Sequence, residues 1–259
     1  SETTHLSVRE LVALGRAPHT GWLGRLSEAD AAKVQRALEV TGCLDHAARR
    51  LGELSDGERQ KVLIARALAQ DTPVLLLDEP TAHLDLPNRV TVMQLLKSLA
   101  EAEGKAVLLS THELDLALQA ADEIWLMATD GGLRCGAPED LILDGTLASA
   151  FRREGFEFDP ATGFVRFQRP ARGWVLLYGE GPRAQWTRRA LERKGFRVTG
   201  SSATVPSTDA RVSVRVLAAG NEPALWRLEA GESREDFPTL GALVDALPDA
   251  ANRPALVEA

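Results

Sequence analysis

The sequence predicts an α/β protein that begins with a helical region and ends with a second, smaller α/β unit. Apolar residues recur at helical spacing through about residue 70, and from residue 73 short apolar runs alternate with helical patterns. This alternation is typical of a sheet covered by helices. The predicted division is a first domain over 1–155 (helical to about 70, then sheet from 71), a linker over 156–172 and an accessory α/β domain over 173–259.

Three helix starts are predicted in the helical region. Ser7 and Ser27 are each followed three residues later by an acid, Glu10 and Asp30, which is the capping-box pattern. A third helix is predicted to begin at Ser55-Asp56-Gly57. The intervening stretch 15–22 is predicted to be a loop. The side chains expected on the inner side of the third helix are Val62, Leu63, Ala65 and Leu68.

The next part of the chain shows strand signals separated by helical ones. Val74–Leu77 is a continuous apolar run, which predicts a strand buried on both faces of a parallel sheet. Pro87 suits the first turn of the helix that follows, and Lys105–Ser110 is the second predicted strand. A third strand is predicted over Glu123–Ala128, before a hairpin turn at Asp130-Gly131-Gly132.

The accessory domain shows strand and helix patterns but no recognisable site motif. The strands expected there are 174–178, 196–199, 211–218 and 224–229, and the helices are 183–194 and 240–247.

Composition narrows the functional classes. The net charge of −7 argues against nucleic acid as the main partner, because phosphate contacts need clustered Lys and Arg. No run of 18 apolar residues predicts a transmembrane helix, and no secretory signal is evident, so a cytoplasmic location is expected. Cys43 and Cys135 match no metal-binding spacing. The chain opens in a helical pattern without Met, so we expect a C-terminal portion of a longer protein or a truncated one.

Two adjacent acids end the first predicted strand. Asp78 and Glu79 follow an apolar run, a position that is costly for carboxylates unless they bind something. At the carboxyl edge of a parallel sheet they would face the crevice where ligands bind. A purely structural role as helix caps is the alternative.

The start of the third helix is a candidate anion site. Backbone N–H groups at a helix start, together with the Ser55 hydroxyl, attract phosphate. Asp56 would repel phosphate if its side chain pointed inward, so we expect it to point away. An ordinary N-cap is the alternative.

The order of these motifs resembles that of ATP-binding cassette (ABC) ATPases, the motor subunits of ABC transporters. The resemblance rests on Leu54–Glu58, Asp78–Thr81 and Ser110-Thr111-His112, and it covers about residues 3–150. The segments 6–22 and 81–89 are similar to those of importers for iron-siderophore, haem and vitamin B12. The resemblance implies a partial P-loop NTPase domain with a helical subdomain.

The resemblance also implies roles for the strand-end residues. Asp78 matches the Walker B aspartate, which holds Mg²⁺ through water, and Glu79 matches the general base that polarises the attacking water. His112 matches the switch histidine, which contacts the γ-phosphate of ATP.

Other residues match the regions where two subunits meet. Ser55, Gly57 and Glu58 match the signature loop, which binds the γ-phosphate held by the other subunit. Asp85 matches the D-loop aspartate at the dimer seam, although His83 departs from the usual Ser or Gly.

The implied cofactors are ATP and Mg²⁺, and the implied partners are a second ATPase subunit, membrane permease subunits and, indirectly, a substrate-binding protein. Such subunits lie peripherally on the cytoplasmic face of the inner membrane. Arg16 and Trp22 are candidates for touching a permease loop, and a packed core position is equally open for Trp22.

One motif of the family does not occur in the sequence. No G-x-x-x-x-G-K-[ST] phosphate-binding loop is present, and the resemblance places that loop upstream of Ser1. We therefore expect the chain to be inactive as an ATPase by itself. Two alternatives remain open, a soluble cassette ATPase acting in DNA repair or translation and a non-catalytic remnant that only binds a partner.

Overall fold

A computed structural model describes residues 5–21, 24–127, 131–151, 156–160, 163–167, 172–200, 212–217 and 225–251. The chain divides into two compact units, which we describe separately. The first comprises residues 1–153 and 157–166, and the second comprises residues 154–156 and 167–259.

Three helices form the helical part of the first unit: α1 (Val8–Ala13), α2 (Glu28–Val40) and α3 (Asp56–Ala69). Each begins with a complete capping box, in which a serine and an acid three residues later bond each other's backbone N–H groups. The three predicted helix starts are therefore confirmed. The apolar faces of these helices share one core, whose fully buried members include Val8, Val12, Leu38, Ile64 and Ala65.

Two details of the helical part were predicted wrongly. A 3₁₀ helix, Leu14–His19, occupies most of the stretch predicted as a loop, where it packs against α3. Leu63 is 42% exposed, and its neighbour Ile64 is buried in its place. The apolar pattern of α3 alone allowed either Leu63 or Ile64 to face inward. The packing of α1 and α2 on α3 selects Ile64.

Arg16 is a structural residue inside this region. Its Nε lies 2.8 Å from Asp30 Oδ1, and its Nη1 donates to the carbonyl oxygens of Ala69 and Gln70 at 2.9 and 3.3 Å. Hydrogen bonds from the Ser27 hydroxyl and the Ser27 backbone, and then from Arg16, lower the pKa of Asp30 to about 2. Because Arg16 is buried, the prediction that it touches a partner is wrong. Trp22 lies outside the described residues.

The sheet of the first unit has two described parallel strands. β1 (Val74–Asp78) pairs with β2 (Ala106–Ser110), and α4 (Leu86–Glu103) connects them. Pro87 lies in the first turn of α4, as predicted. The helix α5 (Leu114–Ala120) follows β2.

The prediction that β1 is buried on both faces is wrong in this structure. Leu75 is buried, whereas Leu76 is 71% exposed, and exposure alternates along β2 as well. One face packs into the core through Leu75 and Leu109. No described element covers the other face, which presents Val74, Leu76 and Leu108.

The remainder of the first unit is built from short elements. β3 (Ile124–Met127) pairs with β4 (Leu133–Gly136) in an antiparallel hairpin, which confirms the turn predicted near Gly131. Asp130 lies outside the described residues. The elements that follow are α6 (Pro138–Leu143), α7 (Thr146–Ala150), β5 (Phe156–Asp159) and β6 (Phe164–Phe167), the last two lying within the stretch expected to be a linker.

The described residues of the second unit form a five-stranded mixed sheet and two helices. Its strands are β7 (Gly173–Tyr178), β8 (Phe196–Gly200), β9 (Val212–Leu217), β10 (Leu225–Ala230) and β11 (Ser233–Phe237), and its helices are α8 (Gly181–Arg193) and α9 (Leu240–Ala251). The sheet order is β11-β10-β9-β7-β8. The strand β11 was not predicted, because its charged sequence has a weak strand pattern. It pairs with β10 at the sheet edge, where Arg227 forms a two-pronged ion pair with Asp236. Among the described helices of the whole chain, none has the length and apolar character needed to span a bilayer.

Candidate active site

The two strand-end acids are held by a serine from the neighbouring strand. The parallel register places Asp78 opposite Ser110. The Ser110 hydroxyl donates a hydrogen bond to Asp78 Oδ1 at 2.5 Å and accepts one from the Glu79 backbone N–H at 3.0 Å. One hydroxyl therefore orients both acidic residues. The sequence analysis did not assign Ser110 this role, although its place at the end of a strand was a usable signal.

Glu79 and His112 lie beside each other at this edge of the sheet. Glu79 Oε1 is 3.4 Å from His112 Nδ1, and the two side chains are 50% and 68% exposed. Both groups are therefore open to a ligand or water. The structure brings together Asp78, Glu79 and His112, the residues that the resemblance assigns to Mg²⁺, the attacking water and the γ-phosphate.

The turn after Glu79 has an unusual backbone. Glu79 has φ of +44° and His83 has φ of +64°, both in the left-handed region that non-glycine residues rarely adopt. Such strain is concentrated at functional sites. It also accounts for residue 83, because glycine fits this region and histidine tolerates it better than most residues.

Asp85 has a local structural partner. It is the N-cap of α4, where its Oδ1 accepts a hydrogen bond from the Asn88 backbone N–H at 3.1 Å. Thr81 and Leu84, which precede it, are buried. The carboxylate thus stabilises the start of α4 within this chain, and its place at a subunit seam stays a prediction.

The signature-like segment, Leu54–Glu58, contains the start of α3 and its complete capping box. Ser55 Oγ accepts a hydrogen bond from the Glu58 backbone N–H, and Glu58 Oε2 accepts one from the Ser55 N–H at 2.8 Å. The hydrogen bond from the Ser55 backbone, followed by that from its side chain, lowers the pKa of Glu58. Asp56 is exposed, and its carboxylate lies 3.6 Å from Arg59 Nη1.

Gly57 packs against the start of α4. A Cβ atom at this position would lie 2.5 Å from Oδ1 of Asn88 and 2.6 Å from its Cγ. The signature-like segment and the helix capped by Asp85 therefore touch each other within this chain. The sequence offered phosphate binding or an ordinary N-cap for this helix start, and it gave no signal for the contact of Gly57 with Asn88.

We expect Gly57→Ala to lower the free energy of unfolding by about 1 kcal/mol. Overpacking costs roughly 1–3 kcal/mol, and the better helix propensity of alanine offsets up to about 1 kcal/mol of that. Adding Asn88→Ala should remove most of the loss, because the clashing group is a side chain. Urea denaturation of the two single variants and the double variant measures this coupling. Equal losses for Gly57→Ala with and without Asn88→Ala would refute the contact.

The acidic edge, formed by Asp78 and Glu79, fits Mg²⁺, one of the two cofactors that the resemblance implies. Among the described residues, no cluster of three or more His, Cys, Asp or Glu side chains could hold a metal ion. Mg²⁺ does not need such a cluster, since it is usually held by one or two carboxylates together with substrate phosphates. Asp78, exposed and already oriented by Ser110, meets that requirement.

Family models match two separate parts of the chain. Residues 2–82 match the ABC transporter model, and residues 172–248 match the model described as the iron ABC transporter C-terminal domain.

Individual curated relatives also match parts of this chain. The cobalamin import ATP-binding protein BtuD of Halobacterium salinarum is 38% identical over 224 residues, which is 83% of this chain and 56% of that protein. The iron(3+)-hydroxamate import ATP-binding protein FhuC of Bacillus subtilis is 46% identical over 110 residues, covering 42% of this chain and 41% of that protein. This chain spans about half the length of the curated relatives that it matches.

Solved structures agree on the fold. An inward-facing metal-chelate type ABC transporter matches with a TM-score of 0.54 and 30% identity, covering 58% of this chain and 60% of that chain. The ADP conformation of MJ1267, an ATP-binding cassette, matches with a TM-score of 0.50 at 22% identity, covering 58% and 64%, and supports the fold alone.

The fold is similar to that of a solved ABC transporter and of a solved ATP-binding cassette. Residues 2–82 belong to the ABC transporter family and residues 172–248 to the iron ABC transporter C-terminal domain family, and the relatives of the chain include proteins named for petrobactin, iron(3+)-hydroxamate and cobalamin import.

Proposed function

We propose that this chain is part of the ATP-hydrolysing subunit of an importer for iron-siderophore, haem or cobalamin-type ligands. The observation that carries the proposal is the contact between Glu79 and His112 beside Asp78, at the carboxyl edge of two parallel strands. The import proteins among its relatives support the ligand class.

Each side chain of this edge then has a separate task. Glu79 accepts a proton from the attacking water as the water oxygen bonds to the γ-phosphorus and the bond to the leaving ADP oxygen breaks. His112, 3.4 Å from Glu79 Oε1, orients the carboxylate and is close enough to share the same water. Asp78 would hold Mg²⁺, which would supply positive charge to offset that of the phosphates. Ser110 keeps Asp78 and the Glu79 backbone in register.

A separate stretch of polypeptide would complete this site. The sequence contains no G-x-x-x-x-G-K-[ST] loop to cradle the phosphates. The exposed apolar face of β1 and β2 supports the same view, because parallel sheets are normally covered on both faces. We propose that a βα segment carrying the P-loop packs on Val74, Leu76 and Leu108.

The other motif residues would contact neighbouring subunits of the transporter. Ser55, Gly57 and Glu58 would bind the γ-phosphate held by a second ATPase subunit, and Asp85 would lie at the seam between the two. Closure of that dimer on ATP would drive the permease subunits, with the ATPase peripheral on the cytoplasmic face of the inner membrane. We assign residues 1–155 to the ATPase domain and 173–259 to an accessory domain.

ATP hydrolysis and surface exposure test the proposal together. Alone, this polypeptide should hydrolyse ATP negligibly and should bind an apolar dye such as ANS through the exposed face. Mixing or fusing it with a P-loop-bearing βα segment of an ABC ATPase should raise ATP hydrolysis and lower dye binding.

A matched pair of variants makes the test specific. Leu76→Asp should prevent this restoration, because it places a charge on the face to be covered. Leu143→Asp is the control, since Leu143 is also highly exposed but lies in α6, outside β1 and β2. Robust hydrolysis by the chain alone, or equal effects of the two variants, would contradict the proposal.

A further inference from the structure

We propose that Arg89 and Glu113 are positioning residues that join the switch segment (110–113) to the D-loop segment (81–85), so that a shift of either segment moves the other. This inference rests on the proposed function for its meaning in ATP hydrolysis. Its structural content can be tested without that function.

Glu113 is a buried acid that the hydrolytic chemistry does not use. It follows His112 directly and is 7% exposed, and both carboxylate oxygens are buried without a hydrogen-bond partner among the described residues. Arg89 Nη1 lies 3.0 Å from Glu113 Oε1, which makes an ion pair without hydrogen-bond geometry. Burying a carboxylate is costly, so its position depends strongly on this one described cation.

Arg89 also contacts the D-loop segment. Its Nε donates a hydrogen bond to the carbonyl oxygen of Leu84 at 2.6 Å. Leu84 is buried and immediately precedes Asp85, the cap of α4. One guanidinium therefore holds a backbone carbonyl of the D-loop segment and the carboxylate that follows His112.

The backbone of Glu113 is also hydrogen-bonded within the switch segment. Its backbone N–H donates to Thr111 Oγ1 at 3.0 Å, so residues on both sides of His112 are bonded to each other. Displacement of the Glu113 carboxylate would therefore be passed to the backbone that carries His112. The path from Leu84 to His112 has two contacts, both through Arg89.

A simple stabilising ion pair is the competing explanation. Buried ion pairs contribute little net stability compared with apolar residues of the same size, so stability alone gives weak grounds for this pair. The two explanations differ in which residues are affected when the pair is broken. A local ion pair affects only residues near 113, among them 112, whereas a positioning pair also affects residues 84 and 85.

The test is an NMR comparison of the isotope-labelled chain with three variants: Glu113→Gln, Arg89→Lys and the control Glu103→Gln. Glutamine keeps the shape of Glu113 without its charge. Lysine keeps the charge of Arg89 but lacks the planar fork that meets Leu84 and Glu113 with two different nitrogens. Glu103 lies on α4, as Arg89 does, and pairs with Arg36 of α2. The control removes the charge of that pair.

We expect Glu113→Gln and Arg89→Lys each to move the His112 imidazole resonances and the Leu84 and Asp85 amide resonances. Hydrogen exchange of the Leu84 amide, which donates to the Thr81 carbonyl, should rise roughly tenfold in Glu113→Gln. Glu103→Gln should change neither. Effects of Glu113→Gln confined to residues near 113, or loss of folding in both test variants, would overturn the proposal.

A kinetic measurement separates this proposal from the proposed function. In the ATPase restored with the P-loop segment, Arg89→Lys should lower kcat roughly tenfold and leave KM within about twofold. An unchanged kcat in an active enzyme would overturn the proposed coupling. If the restored protein has no ATPase activity, the proposed function fails, and the NMR comparison still decides the coupling.

Discussion

Glu79→Gln should abolish ATP turnover in the protein restored with its P-loop segment while leaving ATP binding nearly unchanged. Glutamine keeps the size and the backbone contact to Ser110, but it cannot accept a proton from water. General-base catalysis contributes roughly 10²–10⁴-fold, so we expect a loss of kcat of that order. Steady-state phosphate release measures turnover, and titration with a fluorescent ATP analogue measures binding.

Glu101→Gln is the matched control for this loss. It makes the same change of charge at an exposed position on α4, far along the helix from Asp85. It should leave both kcat and binding unaltered. General-base catalysis contributes far more than a roughly threefold change in rate. If Glu79→Gln kept kcat within about threefold of the parent value, the assignment of Glu79 as general base would be wrong.

Gly15→Ala should produce the largest loss of stability among the substitutions considered. A Cβ atom at Gly15 would lie 2.2 Å from the Arg66 carbonyl oxygen and 3.1 Å from the Ala69 Cβ. The nearest obstacle is helix backbone, which cannot rotate away as a side chain does. Overpacking of this kind costs roughly 3 kcal/mol or more, since relief requires the 3₁₀ helix to separate from α3. Urea denaturation followed by circular dichroism measures the loss.

Gly21→Ala is the control in the same stretch of the chain. A Cβ atom at Gly21 meets nothing within 4 Å, so this variant should be neutral or slightly stabilising. A loss below about 1 kcal/mol for Gly15→Ala would show that the contact with Arg66 relaxes at little cost.

The structure also explains why some expectations failed. The sequence placed Leu63 on the inner side of α3, but only the packing of α1 and α2 decided that Ile64 takes that place. The apolar run of β1 predicted burial on both faces, yet burial of Leu76 depends on an element that the described residues do not supply. Arg16 looked like a surface contact, because nothing in its immediate sequence indicates the pairing with Asp30.

Features whose partners lie within a few residues could be predicted from local sequence. Each capping box joins a serine to an acid three positions away, so Ser7, Ser27 and Ser55 could be read as helix starts directly. The acidic strand end was readable for the same reason, since Asp78 and Glu79 directly follow the apolar run that places them.

Contacts between distant positions depend on how the helices and strands pack in three dimensions. The parallel register brings Ser110 to Asp78, and the packing of α4 brings Asn88 to Gly57 and Arg89 to Glu113. These contacts depend on the distance and direction between elements that are separated by tens of residues. Local periodicity fixes which face of an element is apolar but leaves open which atoms of another element it meets.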